Sequence, residues 1–160
     1  MRLAAVLAFT ATFGACVQPQ QSQNSVPDIT QGDSLRGIAR VVGSEPGTWV
    51  VLVPPNARAV SVMGLQAELL RSVNGAEVVI FGTPSGPYFD VQRFVVRTAD
   101  GLPVWDGVLT RRDGAFSIAL TEGGTAPLVN PATDLQAAAG ERIWITQTQP
   151  GFGYTWGRIR

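Results

Sequence analysis

The chain lacks several residue types on which common protein chemistry depends. Among its 160 residues there is no histidine and no lysine, and cysteine occurs once, as Cys16. Without histidine, a Ser-His-Asp triad and a histidine-ligated metal site are excluded. Without lysine, so are Schiff-base catalysis and the lysine of a phosphate-binding loop. A single cysteine cannot form an intramolecular disulfide or a zinc finger. Beyond the single thiol of Cys16, carboxylates and hydroxyls are the catalytic groups that remain.

The charge is balanced rather than basic. All 12 cationic side chains are arginines, and 12 acidic side chains bring the formal net charge to zero. A nucleic-acid partner usually requires a basic face that neutralises phosphates. We therefore expect no nucleic-acid partner. The sequence contains no motif that would hold a metal or another cofactor, so we expect none.

The first 16 residues have the pattern of a secretion signal. Arg2 precedes an apolar run at residues 3–13. This run is shorter than the about 20 residues of a membrane span and is typical of a signal-peptide core. The segment ends in Phe13-Gly14-Ala15-Cys16. This ending resembles the lipobox of bacterial lipoproteins, although Leu is commoner than Phe at the first position.

The lipobox resemblance implies a specific maturation. The thiol of Cys16 would carry a diacylglycerol, the bond between Ala15 and Cys16 would be cleaved, and the new N-terminus would be acylated. In this family a residue other than Asp after the cysteine, here Val17, implies the outer membrane. We therefore expect residues 1–15 to be a lipoprotein signal peptide and the protein to face the periplasm from the outer membrane. The alternative is ordinary secretion with an incidental cysteine.

The segment after the cysteine is polar. Residues 17–34 contain five Gln, three Ser and two Pro, with few large apolar groups. Such a composition cannot bury enough surface to offset the entropy lost on ordering. Residues 16–34 are therefore predicted to be the lipidated cysteine and a flexible tether. An ordered extension packed against the rest of the chain is the alternative.

Residues 35–98 carry short β-type runs separated by turn signals. The runs predict strands at 35–42, 49–53 and 59–63, a helix at 65–73, and strands at 77–81 and 89–98. Three strands, a helix and two more strands is the element order of an OB-fold, a five-stranded Greek-key barrel. The resemblance is one of topology. Gly37 fits the bend that lets a first strand serve both halves of such a barrel.

The same order recurs in residues 103–160. Strands are predicted at 104–110, 115–120, 127–129, 142–146 and 154–159, with a helix at 134–139. An offset of 65 residues produces matches that include Leu70/Leu135, Gly75/Gly140, Ile80/Ile145, Phe89/Tyr154 and Arg93/Arg158. We predict an all-β protein with short helices, built as a tandem of OB-like barrels at 35–98 and 103–160. The alternative is a single barrel or sandwich of roughly 8–11 strands.

Aromatic and arginine side chains are the candidate ligand-binding residues. Trp144, Tyr154 and Trp156 crowd the C-terminal end, and Arg158 lies beside them at the position that matches Arg93 in the repeat. OB-folds use aromatic and arginine side chains on a barrel face to stack bases or sugars. The alternative is that the aromatic rings close a core and the arginines protect edge strands from aggregation.

The favoured interpretation is a non-enzymatic envelope lipoprotein whose β-rich head binds an envelope protein or a glycan. One alternative is an envelope hydrolase that uses carboxylates among Asp90, Asp100, Asp106 and Asp113. Another is a purely structural component of an envelope assembly. Asp100 and Asp113 each precede a glycine and fit turns better than catalysis. We therefore assign no catalytic residue.

Replacing Cys16 with serine tests the lipid anchor. Because the lipid attaches to the thiol, the Cys16→Ser chain should incorporate no labelled fatty acid and should leave the membrane fraction. The unaltered chain, labelled in parallel, is the control. A mature Cys16→Ser band that still carries the lipid label would show that another residue is the acceptor.

Overall fold

The computed structural model describes residues 33–146 and 153–160, which form an all-β fold with short helices. In chain order the elements are β1 (Asp33–Val42), β2 (Trp49–Val53), β3 (Val60–Met63), α1 (Leu65–Leu69), a 3-10 helix (Leu70–Val73), β4 (Glu77–Ser85), β5 (Tyr88–Ala99), β6 (Leu102–Arg112), β7 (Ala115–Leu120), β8 (Thr125–Leu128), α2 (Thr133–Gln136), β9 (Arg142–Thr146) and β10 (Trp156–Arg158). The predicted all-β class is confirmed. Across the described residues, neither α1 nor α2 has the length or hydropathy of a membrane span.

Strands β1–β5 pair into a closed ring, which we call the first barrel. β1 pairs with β2 and β4, β2 pairs with β3, and β4 pairs with β5, all antiparallel. β3 and β5 complete the ring as a parallel pair. Helix α1 and the 3-10 helix connect β3 to β4. This ring order, with helical residues between the third and fourth strands, is the OB-like topology that the sequence predicts.

Gly37 marks the point where β1 changes partners. Residues 33–38 of β1 pair with β4, and residues 38–42 pair with β2. A Cβ added at Gly37 would lie 2.6 Å from the carbonyl oxygen of Val53 on β2. A residue without a side chain therefore lets the two strands approach closely where β1 bends. The interior of the first barrel is filled by buried apolar side chains that include Leu52, Leu70, Ile80 and Phe94.

Strands β6–β10 repeat these connections but leave the ring open, and we call them the second barrel. β6 pairs with β7 and β9, β7 pairs with β8, and β9 pairs with β10, all antiparallel. Helix α2 connects β8 to β9. Within the described part of the chain, β8 and β10 do not pair. The second barrel therefore has a gap where the first has its parallel pair.

Each barrel contains an equivalent backbone hydrogen bond just after its helical residues. In the first barrel the N–H of Gly75 donates to the carbonyl of Ala39 at 2.8 Å. In the second the N–H of Gly140 donates to the carbonyl of Leu109 at 2.7 Å. Both glycines have a positive φ, 90° and 92°, which residues with a side chain rarely adopt. The match of Gly75 with Gly140 in the sequence repeat therefore reflects one structural role.

A buried carboxylate connects the two barrels. Asp106 on β6 accepts hydrogen bonds from the backbone N–H of Val96 on β5 at 2.8 Å and from the hydroxyl of Thr121 at 3.0 Å. Arg142 on β9 donates to both carboxylate oxygens, with Nε at 3.0 Å and Nη2 at 2.8 Å. The same Nη2 donates to the carbonyl of Phe94 on β5 at 2.7 Å. The ion pair is thus bonded to the backbone of the first barrel at two points.

Apolar side chains also join the two barrels. Val104 and Ile159 of the second barrel are buried in the core cluster of the first, and Trp144 packs against that cluster. The interior of the second barrel is a separate cluster that includes Leu109, Ile118, Leu135, Ile143 and Ile145. A short hairpin at Asp100-Gly101, with φ values of 51° and 77°, links β5 to β6. A chain connection, an ion pair and apolar packing therefore join the two barrels.

An exposed ion pair supports the pairing of β1 with β4. Nε of Arg36 donates to Oε1 of Glu77 at 2.8 Å, and Nη2 donates to Oε2 at 3.1 Å. Hydrogen bonding to Arg36 and its positive charge lower the pKa of Glu77, and the same hydrogen bonds raise the pKa of Arg36. The stabilisation from Glu77 is therefore complete above its unfolded pKa and is lost as pH falls through its folded pKa.

The N-terminal boundary of the head differs from the prediction by two residues. The composition predicts a tether through residue 34, whereas Asp33 and Ser34 begin β1 and pair with Gly82 and Phe81 of β4. The strand extends this far because β4 itself continues to Ser85. The signal peptide, Cys16 and the rest of the tether lie outside the described residues. The domain limits at 35–98 and 103–160 stay a prediction.

Removing the charge of Asp106 should destabilise the whole head. In an Asp106→Asn variant the guanidinium of Arg142 loses its counter-ion in a partly buried site, which should lower the free energy of unfolding by about 3–5 kcal/mol. Glu122→Gln is the matched control. It removes the partner of Arg97 in an exposed ion pair, and should cost less than about 1 kcal/mol. Equal losses for both variants in urea unfolding would contradict the role given to Asp106.

Candidate functional site

Three large apolar side chains of the first barrel are exposed near one another. Trp49 is 51% exposed, Met63 44% and Tyr88 50%. Single exposed apolar residues are ordinary in a folded protein, whereas a contiguous exposed group marks a surface that contacts something else.

Strand register places the three side chains on one face. Val51 on β2 pairs with Ser61 on β3, and Ser61 pairs with Tyr88 on β5. Paired residues project to the same side of a sheet, and so do residues two apart on a strand. Trp49 is two residues before Val51, and Met63 is two residues after Ser61. We call the surface formed by Trp49, Ser61, Met63 and Tyr88 the β2–β3 face.

The β2–β3 face is a shallow groove on the outside of the first barrel. A cavity of about 450 Å³ lies between Trp49 and Tyr88, with Ser61 and Met63 along its floor. In OB-folds the face over the second and third strands is a common ligand surface. The location and the exposed side chains therefore both favour a binding site here.

Two of the five predicted binding residues have other contacts. Trp144 is half-buried against the core cluster of the first barrel, and a Cβ added at Gly157 would lie 2.6 Å from its Nε1. Arg93 stacks its guanidinium 3.8 Å from the centre of the Phe81 ring on the neighbouring strand. Trp144 is therefore part of the contact between barrels, and Arg93 covers an aromatic side chain of its own barrel.

The other three predicted residues lie at the open side of the second barrel. Tyr154 and Trp156 are half-buried against the second core cluster. They also line a cavity of about 430 Å³ with Asp134 and other residues. Arg158 is bound by Glu141 at 2.6 Å and lies 5.2 Å from the centre of the Trp156 ring. We call the cavity lined by Val129, Asn130, Asp134, Tyr154 and Trp156 the β8–β10 groove.

The two arginines do not occupy matching places in the two barrels. Arg93 pairs with Phe81 on β4, and Arg158 pairs with Ile143 on β9. The repeat counterpart of Ile143 is Val78, which pairs with Val96 rather than with Arg93. The last strand is thus displaced by three residues relative to the sequence alignment. The equivalence expected for Arg93 and Arg158 is wrong because strand register, and not the offset of 65, determines the position.

The carboxylates proposed for a hydrolase do not assemble into a site. Asp100 and Asp113 occupy turns, each with a φ of 51°, and Asp106 is bound by Arg142. Asp90 pairs with Met63 at the end of β3. Among the described residues, no three acidic, histidine or cysteine side chains are close enough together to hold a metal ion. This arrangement favours a binding surface as the candidate site.

The sequence does not predict the β2–β3 face as a binding surface. The run Trp49–Val53 is apolar at every position, so its pattern does not indicate which side chains face outward. Met63 and Tyr88 lie on different strands and come together only through a parallel pairing. The sequence contains one signal for this face, which is topological. The predicted OB-like order places Trp49 and Met63 on the second and third strands.

The chain matches no protein-family model, no curated protein and no solved structure. The two candidate surfaces therefore rest on the residues, contacts and exposure that this chain itself shows.

Alanine substitutions should separate the exposed tryptophan from the one between the barrels. Trp144→Ala removes a ring packed against the first core and should lower the free energy of unfolding by roughly 2–3 kcal/mol, somewhat below the cost for a fully buried ring. Trp49→Ala should cost less than about 1 kcal/mol, because half of that side chain contacts solvent. Urea unfolding measures both values. A larger loss for Trp49→Ala than for Trp144→Ala would contradict the assignment.

Proposed function

We propose that this protein is a lipid-anchored lipoprotein of the bacterial cell envelope, whose head binds a protein partner through the β2–β3 face without catalysing a reaction. The observation that carries the proposal is the exposure of Trp49, Met63 and Tyr88 on one outer face of a barrel. The lipobox resemblance at residues 13–16 supports the anchor. In this proposal the protein faces the periplasm from the outer membrane, in accord with Val17.

The chemistry of the β2–β3 face favours a protein as the partner. Trp, Tyr and Met are enriched in the buried centres of protein interfaces, and Trp and Tyr contribute much of the binding energy there. Met adapts its flexible side chain to different apolar surfaces. The side chains that line the groove carry no charge, and their polar groups are the hydroxyls of Ser61 and Tyr88 and the indole N–H of Trp49.

The charge of the chain supports the same choice. Nucleic-acid binding depends on cations that neutralise phosphates, whereas the 12 arginines are balanced by 12 acidic residues. Several arginines are also engaged within the head, including Arg36, Arg71, Arg97, Arg142 and Arg158. An apolar, weakly charged face on a balanced head is typical of protein recognition.

A photo-crosslinking amino acid at Met63 tests the proposed partner. Introduced there in the lipidated protein in intact cells, it should give a protein adduct of one defined mass. The same amino acid at Ala115, an exposed position on β7 of the second barrel, is the control and should give no such adduct. Trp49→Ala combined with the Met63 probe should reduce the adduct, because it removes an anchor without unfolding the head.

Two outcomes would contradict the proposal. Equal protein adducts at Met63 and Ala115 would mean that the face has no preferred partner. Crosslinking of the Met63 probe to purified peptidoglycan, with no protein adduct, would mean that the face binds a glycan.

A further inference from the structure

The two barrels differ most at the place where the ring closes. In the first barrel, residues Ser61–Met63 of β3 pair with Tyr88–Asp90 of β5. In the second barrel the corresponding strands, β8 and β10, do not pair in the described part of the chain. The space between them is the β8–β10 groove, with a volume of about 430 Å³. This volume lies within the range of small-molecule sites.

The residues that line the groove have changed in character between the repeats. Phe94 of the first barrel is fully buried and belongs to its core. Strand register makes Trp156 its counterpart, because Phe94 pairs with Ile80 and Trp156 pairs with Ile145, the residue that matches Ile80 in the repeat. Trp156 and the nearby Tyr154 are half-buried against the second core and line the groove as well. The second barrel thus leaves an aromatic ring partly open where the first barrel encloses one completely.

Polar side chains surround the two rings. Nε1 of Trp156 donates to Oδ2 of Asp134 at 3.2 Å, which orients the indole and the carboxylate. Asp134 is exposed and has no ion-pair partner among the described residues. Asn130, also exposed, adds an amide to the same groove. An aromatic surface with a carboxylate and an amide at its edge can stack on a ring and accept hydrogen bonds from its hydroxyls.

The edge of β8 disfavours an extended peptide as the occupant. The N–H of Leu120 donates to the carbonyl of Gly124, so the alternating antiparallel pattern directs the backbone groups of Thr125 and Pro127 away from β7. Proline has no N–H to donate. The next outward N–H, that of Val129, already donates to the hydroxyl of Tyr154 at 3.1 Å. A peptide strand added here would therefore find few donors.

We propose that the β8–β10 groove binds a neutral saccharide ring. The apolar face of the ring stacks on Trp156, and its hydroxyls donate to Asp134 and Asn130. The carboxylate of Asp134 repels acidic sugars and phosphate groups, which selects a neutral ring. The assignment of this sugar to an envelope glycan rests on the proposed envelope location, whereas the binding itself does not.

Calorimetric titration of the protein with tri-N-acetylchitotriose tests this proposal. Saturable binding is expected, and an oligogalacturonate of similar length should not bind. Trp156→Ala should weaken the affinity for chitotriose by about tenfold, because it removes the stacking surface. Asp134→Asn should also weaken it, while leaving the fold intact because the amide oxygen can still accept from Trp156. Trp49→Ala, in the β2–β3 face of the first barrel, is the matched control. This variant should bind chitotriose as the unaltered protein does.

Three results would overturn the proposal. They are absence of binding by the unaltered protein, loss of binding in Trp49→Ala, and unchanged affinity in both Trp156→Phe and Asp134→Asn. Trp156→Phe is included because it keeps an aromatic ring if Trp156→Ala unfolds the second barrel, and loss of the indole N–H should weaken binding detectably. Failure here would leave the Met63 crosslinking result unaffected, so the two proposals can fail separately.

Discussion

The carboxylate of Asp106 is the constraint on which the arrangement of the head depends. A buried charge is tolerated only where it is paired and hydrogen-bonded, and Asp106 obtains its partners from both barrels. Arg142 and Thr121 belong to the second barrel, and the N–H of Val96 belongs to the first. Any rotation of one barrel against the other would remove donors from the carboxylate. The ion pair therefore favours one relative orientation, with Trp144 and Ile159 completing the apolar contact between the barrels.

This constraint determines which surfaces are left for binding. The contact between barrels occupies β5 of the first barrel and β6, β9 and the C-terminal strand of the second. The β2–β3 face lies on other strands of the first barrel, and the β8–β10 groove lies where the second barrel is open. The two surfaces use the same OB-like topology differently. One is an exposed outer face on a closed ring, and the other is a gap in an incomplete ring, lined by Tyr154 and Trp156.

Local sequence signals predicted the elements well but not the contacts between them. The strand at Trp49–Val53 and the strand at Ala115–Leu120 were predicted at the observed limits, because turn residues flank both apolar runs. The repeat can be detected in the sequence partly because the same positive-φ conformation favours glycine at both position 75 and position 140. The pairing of Asp106 with Arg142 was not visible, because 36 residues separate them and neither lies in a motif.

The candidate site was harder to predict for a related reason. Exposure depends on strand register, and a displacement of three residues on the last strand separated the places of Arg93 and Arg158. Trp144 faces outward from its own strand, since its neighbours Ile143 and Ile145 fill the second core, but the first barrel covers it. Trp49 and Tyr88 of the β2–β3 face come together through the antiparallel pairing of β2 with β3 and the parallel pairing of β3 with β5, which no local pattern encodes.

The most direct test of this account is the response of the indole N–H signals in a nuclear magnetic resonance titration with tri-N-acetylchitotriose. The chain has four tryptophans, Trp49, Trp105, Trp144 and Trp156, so each signal can be assigned by substitution. The account predicts that the Trp156 signal shifts with saturation, while the Trp144 signal between the barrels and the Trp49 signal on the β2–β3 face stay in place. A shift of Trp49 with no shift of Trp156 would contradict it.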